Sequence, residues 1–174
     1  MFYPEITWLG STGIATGWDG IEYRPVTPIN RDAMAAFLFR LAGEADYEPP
    51  AVSPFKDVTT DNMYYREIAW LHETGISTGW SDGTFRPWEP INRDAMAAFL
   101  YRLAGEPEWT APAASPFSDM DSSVQFYDEV TWLHDADITT GWGDGTYRPV
   151  TPINRDAMAA YLYRFVDNLG LPQV

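Results

Sequence analysis

In the middle of the chain apolar residues are spaced as on a helix: Tyr64, Ile68 and Leu71 share one face, and Gly75 supplies a left-handed stop. A first helix of about ten residues is predicted there. The rhythm then breaks. Asp82-Gly83 between Trp80 and Phe85 signals a tight loop or small hairpin, and Pro87 and Pro90 keep the following stretch extended. A second helix is predicted to open at Asn92, which suits an N-cap, with Asp94 in the first turn and Ile91 and Met96 at the staple positions. Its buried stripe is Met96, Phe99, Leu100 and Leu103, and Gly105 ends it.

The same pattern occurs three times with a period of 62 residues and no gap. PINRDAMAA begins at Pro28, Pro90 and Pro152; GWDGIEYRP, GWSDGTFRP and GWGDGTYRP begin at Gly17, Gly79 and Gly141. The units are placed at residues 1–43, 55–105 and 117–174, joined by linkers 44–54 and 106–116. Units two and three open with Phe55-Lys56-Asp57 and Phe117-Ser118-Asp119; the first lacks that opening and reads as truncated by about eight positions. Two short helices cannot enclose their own apolar face. The expected fold is therefore mainly α, three helix-loop-helix repeats around a shared core with approximate threefold symmetry.

Composition narrows the function. The net charge of -14, from 25 acidic and 11 basic residues, repels nucleic acid and anionic membranes. The absence of cysteine removes disulfides, zinc-thiolate sites and thiol nucleophiles, and suits an exported protein. No apolar run is long enough to span a bilayer, and the opening MFYPEITWLG lacks the regions of a signal peptide, so a secreted parent would have this as a mature fragment.

Against this acidic background, nine of the ten arginines fall at three repeated positions. Arg31, Arg93 and Arg155 stand at the first helical position, where a cation opposes the helix dipole. A guanidinium beside exposed helix N–H groups would suit a carboxylate; the alternative is an ion pair with Asp32, Asp94 or Asp156 of a neighbouring repeat. Arg40, Arg102 and Arg164 lie in the last helical turn and read as structural, whereas Arg24, Arg86 and Arg148 stay open between the two roles. Trp18, Trp80 and Trp142 each follow a glycine before the turn, where an indole either stacks on a sugar ring or covers a small core. Trp8, Trp70 and Trp132 read as core. His72 and His134 match each other but repeat one has Gly10 there, so no triad or metal cluster is supported. The Asp-Gly turns lack the spaced ligands of a calcium loop. No catalytic residue, metal or cofactor is expected.

The ordered set of Phe-x-Asp, an aromatic-rich first helix, Asp-Gly-Thr-Phe-Arg-Pro and Pro-Ile-x-Arg before Ala-Met-Ala-Ala-Phe-Leu resembles the S-layer homology domain family, in three copies over nearly the whole chain. The resemblance implies a three-pronged pseudo-trimer whose first helices form a central bundle and whose grooves bind secondary cell-wall polysaccharide. It also implies an extracellular module, monomeric in itself, that tethers surface proteins and exported enzymes noncovalently to the wall. The family's Ile-Thr-Arg-Ala-Glu signature, whose arginine is associated with acidic and often pyruvylated sugars, maps onto Arg31, Arg93 and Arg155. Here the motif is Ile-Asn-Arg-Asp-Ala, which moves the acid one position earlier and removes the reciprocal capping box. Trp18, Trp80 and Trp142 and Asp32, Asp94 and Asp156 complete the expected ligand-binding set. A structural or protein-interaction module for surface-layer assembly, without direct glycan binding, is the alternative.

Overall fold

The computed structural model of the protein describes residues 2–17 and 20–170. Six helices are present among them: α1 (Tyr3–Ser11), α2 (Arg31–Leu41), α3 (Tyr65–Glu73), α4 (Arg93–Leu103), α5 (Tyr127–Asp135) and α6 (Arg155–Asn168). Each repeat contributes one short and one longer helix, as the apolar spacing predicts. None of them is long and apolar enough to cross a membrane.

The two helices of a repeat do not form a packed pair. Helix packing instead runs between repeats, α2 on α3, α4 on α5 and α6 on α1, so each second helix covers the first helix of the next unit. Edge-on aromatic contacts mark the three seams: Phe39 with Trp70, Tyr101 with Trp132 and Tyr163 with Trp8, at centroid distances of 5.5, 5.3 and 5.5 Å. The family resemblance implies a central bundle of first helices; among the described residues each packed pair instead joins a second helix to a first, and α1, α3 and α5 form no such pair with one another.

What closes the threefold arrangement is backbone. The Ile91 N–H donates to the Ile29 carbonyl, Ile153 to Ile91, and Ile29 to Ile153, each at 3.0 Å. Isolated antiparallel bridges Pro28–Asn154, Asn30–Pro90 and Asn92–Pro152 lie at the same places. Two prolines ahead of each isoleucine, Pro25 and Pro28, Pro87 and Pro90, Pro149 and Pro152, keep these segments extended, so their polar groups have to be satisfied by another unit. Packed beside this ring are the repeated core residues Leu9, Leu71 and Leu133, Ile14, Ile76 and Ile138, Met34, Met96 and Met158, and Leu38, Leu100 and Leu162, all buried.

The second helices start differently from expectation. Asn30, Asn92 and Asn154 occupy the N-cap, but none of their side chains makes the capping hydrogen bond. Capping comes from the neighbouring unit: the Arg31 and Asp32 N–H groups donate to the Glu89 and Pro87 carbonyls at 3.0 and 3.1 Å. Arg93 and Asp94 do the same to Thr151 and Pro149, and Arg155 and Asp156 to Thr27 and Pro25. The next N–H, on Ala33, Ala95 or Ala157, is taken by the carboxylate just before it, at 2.6, 2.6 and 2.7 Å. This explains the early acid of the Arg-Asp-Ala motif: it caps its own helix.

Candidate functional site

Each first-position arginine leaves its own repeat and enters the next. Arg31 Nε donates to the Phe85 carbonyl at 2.7 Å, Arg93 Nε to that of Tyr147 at 2.8 Å, and Arg155 Nε to that of Tyr23 at 2.8 Å. The guanidinium lies between two aromatic rings in every copy. For Arg31 these are Phe85 and Phe99 at 4.7 and 5.6 Å, for Arg93 Tyr147 and Tyr161 at 4.6 and 5.6 Å, and for Arg155 Tyr23 and Phe37 at 4.7 and 5.4 Å. Tyr147 and Tyr23 return a hydroxyl hydrogen bond to the carbonyls of Arg93 and Arg155.

These side chains are buried, with 7, 6 and 5% of the surface of Arg31, Arg93 and Arg155 exposed. Burial lowers the Arg31 pKa from its ordinary value to about 10, with the nearby Glu89 carboxylate acting in the opposite direction, so the group stays charged at neutral pH. Among the described residues, neither Arg31 nor Arg93 forms an ion pair, and Asp32 and Asp94 are not their partners. A charge held by a carbonyl and two aromatic faces is costly to bury, and an anion at its free edge would offset that cost.

Two of these arginines line a groove. Arg31 lines a cavity of about 670 Å³ together with Thr78, Trp80, Glu89, Asn92 and Asp94. Arg93 lines the equivalent cavity of about 710 Å³ with Thr140, Trp142, Arg148, Asn154 and Asp156. Trp80 and Trp142 are each 46% exposed. Trp18, their counterpart in repeat one, lies outside the described residues.

The turns carrying Trp80 and Trp142 are closely constrained. Trp80 N–H donates to the Thr84 carbonyl at 2.8 Å, and Gly79 before it has φ +72°, where a Cβ would sit 2.6 Å from the Thr84 oxygen and clash with the Phe55 ring. Arg86 stacks on the Trp80 ring at 4.0 Å and pairs with Asp82 at 3.1 Å; Arg148 stacks on Trp142 at 4.1 Å and pairs with Asp144 at 2.7 Å. Hydrogen bonds from Thr84 and Thr146, then from these arginines, hold the Asp82 and Asp144 carboxyls down to about 2. These arginines thus set the orientation of the indole, whichever ligand is bound.

Arg86 and Arg148 have φ +60° and +61°, a conformation unusual for arginine. Its support comes from the Phe-x-Asp opening. The Asp57 carboxylate accepts from the Phe85 and Arg86 N–H groups at 2.8 and 2.7 Å, and Asp119 accepts from Tyr147 and Arg148, both at 2.7 Å. This role of Asp57 and Asp119 was hidden in the sequence, although the constant spacing of 28 residues to the turn is a signal of it.

One element of the sequence reading is overturned. The N–H groups at the start of each second helix are not exposed to a ligand, because the neighbouring repeat's carbonyls and Asp32, Asp94 and Asp156 already occupy them. Among the described residues Asp32 and Asp94 form no ion pair with an arginine either. Burial raises the Asp32 and Asp94 pKa values. Arg102 and Arg164, read as structural, tie their helix to the Ile76 and Ile138 carbonyls at 3.0 and 3.3 Å and also line the two grooves.

The S-layer homology domain model matches residues 54–97 and 116–159, about half of the chain. Among curated proteins the chain is similar to cell surface glycoprotein 1 of Acetivibrio thermocellus, 26% identical over 87% of this chain and 7% of that protein. It is 31% identical to an endoglucanase of a Bacillus species over 80% of this chain and 15% of the relative. A cellulosome-anchoring protein of Acetivibrio thermocellus is 29% identical over 53% of this chain and 21% of its own length. The chain thus spans a small part of each relative, between 7 and 21%. Match, repeats and shared motif agree: the chain belongs to the S-layer homology domain family and is a cell-surface anchoring module of the extracellular, wall-associated kind.

Proposed function

We propose that the module holds its parent protein on the cell wall by binding an acidic secondary cell-wall polysaccharide, pyruvylated sugars included, in the grooves between repeats. One observation carries the reading: Arg31 and Arg93 cross into the next repeat, charged and without a carboxylate partner among the described residues, beside cavities that also hold a half-exposed tryptophan. The guanidinium edge would take a polar group of the sugar, a carboxylate where the residue is acidic, the indole the apolar face of the ring, and Asp94 or Asp156 a hydroxyl. Arg155, Trp18 and Asp32 are the corresponding residues at the third boundary. Grooves of this size, repeated on one scaffold, would add weak sites into avidity for one polymer.

The test is co-sedimentation with purified wall glycan stripped of protein. Replacing Arg31 and Arg93 together by lysine keeps the charge and removes the fork and the stacking, and replacing Trp80 and Trp142 by alanine removes the platform. Each double variant should weaken retention by on the order of tenfold or more while keeping its helical circular dichroism. Unchanged retention in both variants rejects the mechanism.

A second reading is favoured by Val26, Trp88 and Val150, which occupy one repeated position and are all exposed. A ring of apolar side chains suits contact with another protein in a surface lattice. Retention on protein-coated wall but not on the bare glycan would select it.

A further inference from the structure

The two described grooves are built on the same plan but carry different charge. Around Arg93 the lining includes three arginines, Arg93, Arg148 and Arg164, and one carboxylate, Asp156. Around Arg31 it includes two arginines, Arg31 and Arg102, and two carboxylates, Glu89 and Asp94. One of the two charges by which they differ is Arg148, whose counterpart Arg86 does not line the Arg31 groove; the other traces to a substitution between repeats. Glu89 occupies the position held by Thr27 and Thr151 in the other units.

Glu89 acts on two cations of its groove. It lies 3.8 Å from Arg86, drawing that guanidinium between Asp82 and itself, whereas Arg148 has only Asp144 as an ion-pair partner among the described residues. Its charge also reaches Arg31, at whose side chain it is the foremost of the neighbouring charges. Thr151 offers a hydroxyl at the same place and no charge. Both side chains are exposed, and in both cases the backbone, not the side chain, makes the conserved-geometry contacts: the carbonyls of Glu89 and Thr151 accept from Arg31 and Arg93.

Resting on the glycan-binding reading above, we propose that the grooves are specialised: the one between repeats two and three takes the acidic sugar, and Glu89 makes the one between repeats one and two select against a carboxylate and accept a neutral residue of the polymer. A carboxylate placed against Arg31 would share its space with Glu89 and Asp94, a like-charge juxtaposition that disfavours the wrong ligand. The neutral sugar meets no such opposition and still finds the Trp80 face.

The experiment is calorimetric titration of the whole 174-residue chain. The probes are a methyl hexoside bearing a 4,6-pyruvate ketal and its 4,6-ethylidene counterpart, which lacks only the carboxylate. The Arg93 groove is expected to bind the acidic probe, and Thr151→Glu to weaken that binding by on the order of tenfold with an unchanged unfolding midpoint. Glu89→Thr is expected to add one acidic-sugar site to those of the unsubstituted chain, since Thr27 and Thr151 already stand at that position in the other repeats. No gain in acidic-probe sites on Glu89→Thr, or indifference of acidic-probe binding to Thr151→Glu, overturns the specialisation while leaving wall retention intact. Failure of the unsubstituted chain to bind either probe and to sediment with bare glycan overturns the glycan reading itself, and this inference with it.

Discussion

Arg31, Arg93 and Arg155 stood out in the sequence because a cation at the first helical position works against the local field, and that unfavourable placement marked them as answering to something outside their own helix. The answer is a carbonyl 54 residues away for Arg31 and Arg93, on the next repeat, with an aromatic ring on each side. No periodicity in the sequence reports such a partner, since it depends on how units meet. The supporting residues are similarly displaced. Asp119 holds the Tyr147 and Arg148 N–H groups in a left-handed turn, so Asp119→Ala leaves two donors without their acceptor and should cost about 2 to 3 kcal/mol, read as a lower unfolding midpoint in urea. Asp119→Asn, which keeps one acceptor oxygen, should cost less. The turn carboxylates add a pH dependence. Asp82 and Asp144 are held at about 2 in the folded protein against about 3.9 for a free aspartate, so their contribution is complete above pH 4 and is lost as pH falls through 2. The stability difference between the protein and its Asp82→Asn, Asp144→Asn variant should therefore shrink across that window and vanish at its acid end.

At the level of elements, helix existence and ends were readable because spacing, glycine stops and the Asn-Arg-Asp start all lie within a few residues of one another. The partner of each helix was not. Two helices joined by one loop look like a hairpin, yet each packs on a different neighbour, because the extended Pro-Ile-Asn segment carries the second helix across the ring to the following unit. The three first helices are also unequal. Helices α3 and α5 each bury five residues, including Trp70 and Trp132, whereas α1 buries only Leu9. Fewer buried apolar groups mean a lower free energy of local opening. Hydrogen exchange should release the amides of α1 before those of α3 and α5; simultaneous exchange of all three would show that the core is equally tight around the ring.

For the whole molecule, three units are the smallest number that satisfies the structure. Each second helix has its first N–H groups capped by the next repeat, and the Ile29, Ile91 and Ile153 backbones bond in a closed circuit, so removing a unit leaves donors and carbonyls open at two boundaries at once. A chain ending at residue 115 should therefore lack a cooperative unfolding transition, although its remaining repeats keep their sequences intact. A stable, cooperatively folding two-unit chain would refute the circuit as the organising element. The threefold count was visible in the 62-residue period; that the last unit returns to the first was expected from symmetry and is carried by named bonds, Ile29 to Ile153 and Arg155 to Thr27.

The seam between α1 and α6 has a mechanical consequence. A module that tethers another protein is pulled, and α1 and α6 lie side by side, so a load that enters through either helix acts on their seam before it reaches the other two. The shallow burial of α1 makes that seam the fuse of the assembly. The groove lined by Arg31 has no wall on either helix and under tension would keep its grip after the first helix has begun to yield, whereas the Arg93 groove, lined by Phe2 and by Asp156, Ala157, Ala160, Tyr161 and Arg164 of α6, would be the first to loosen.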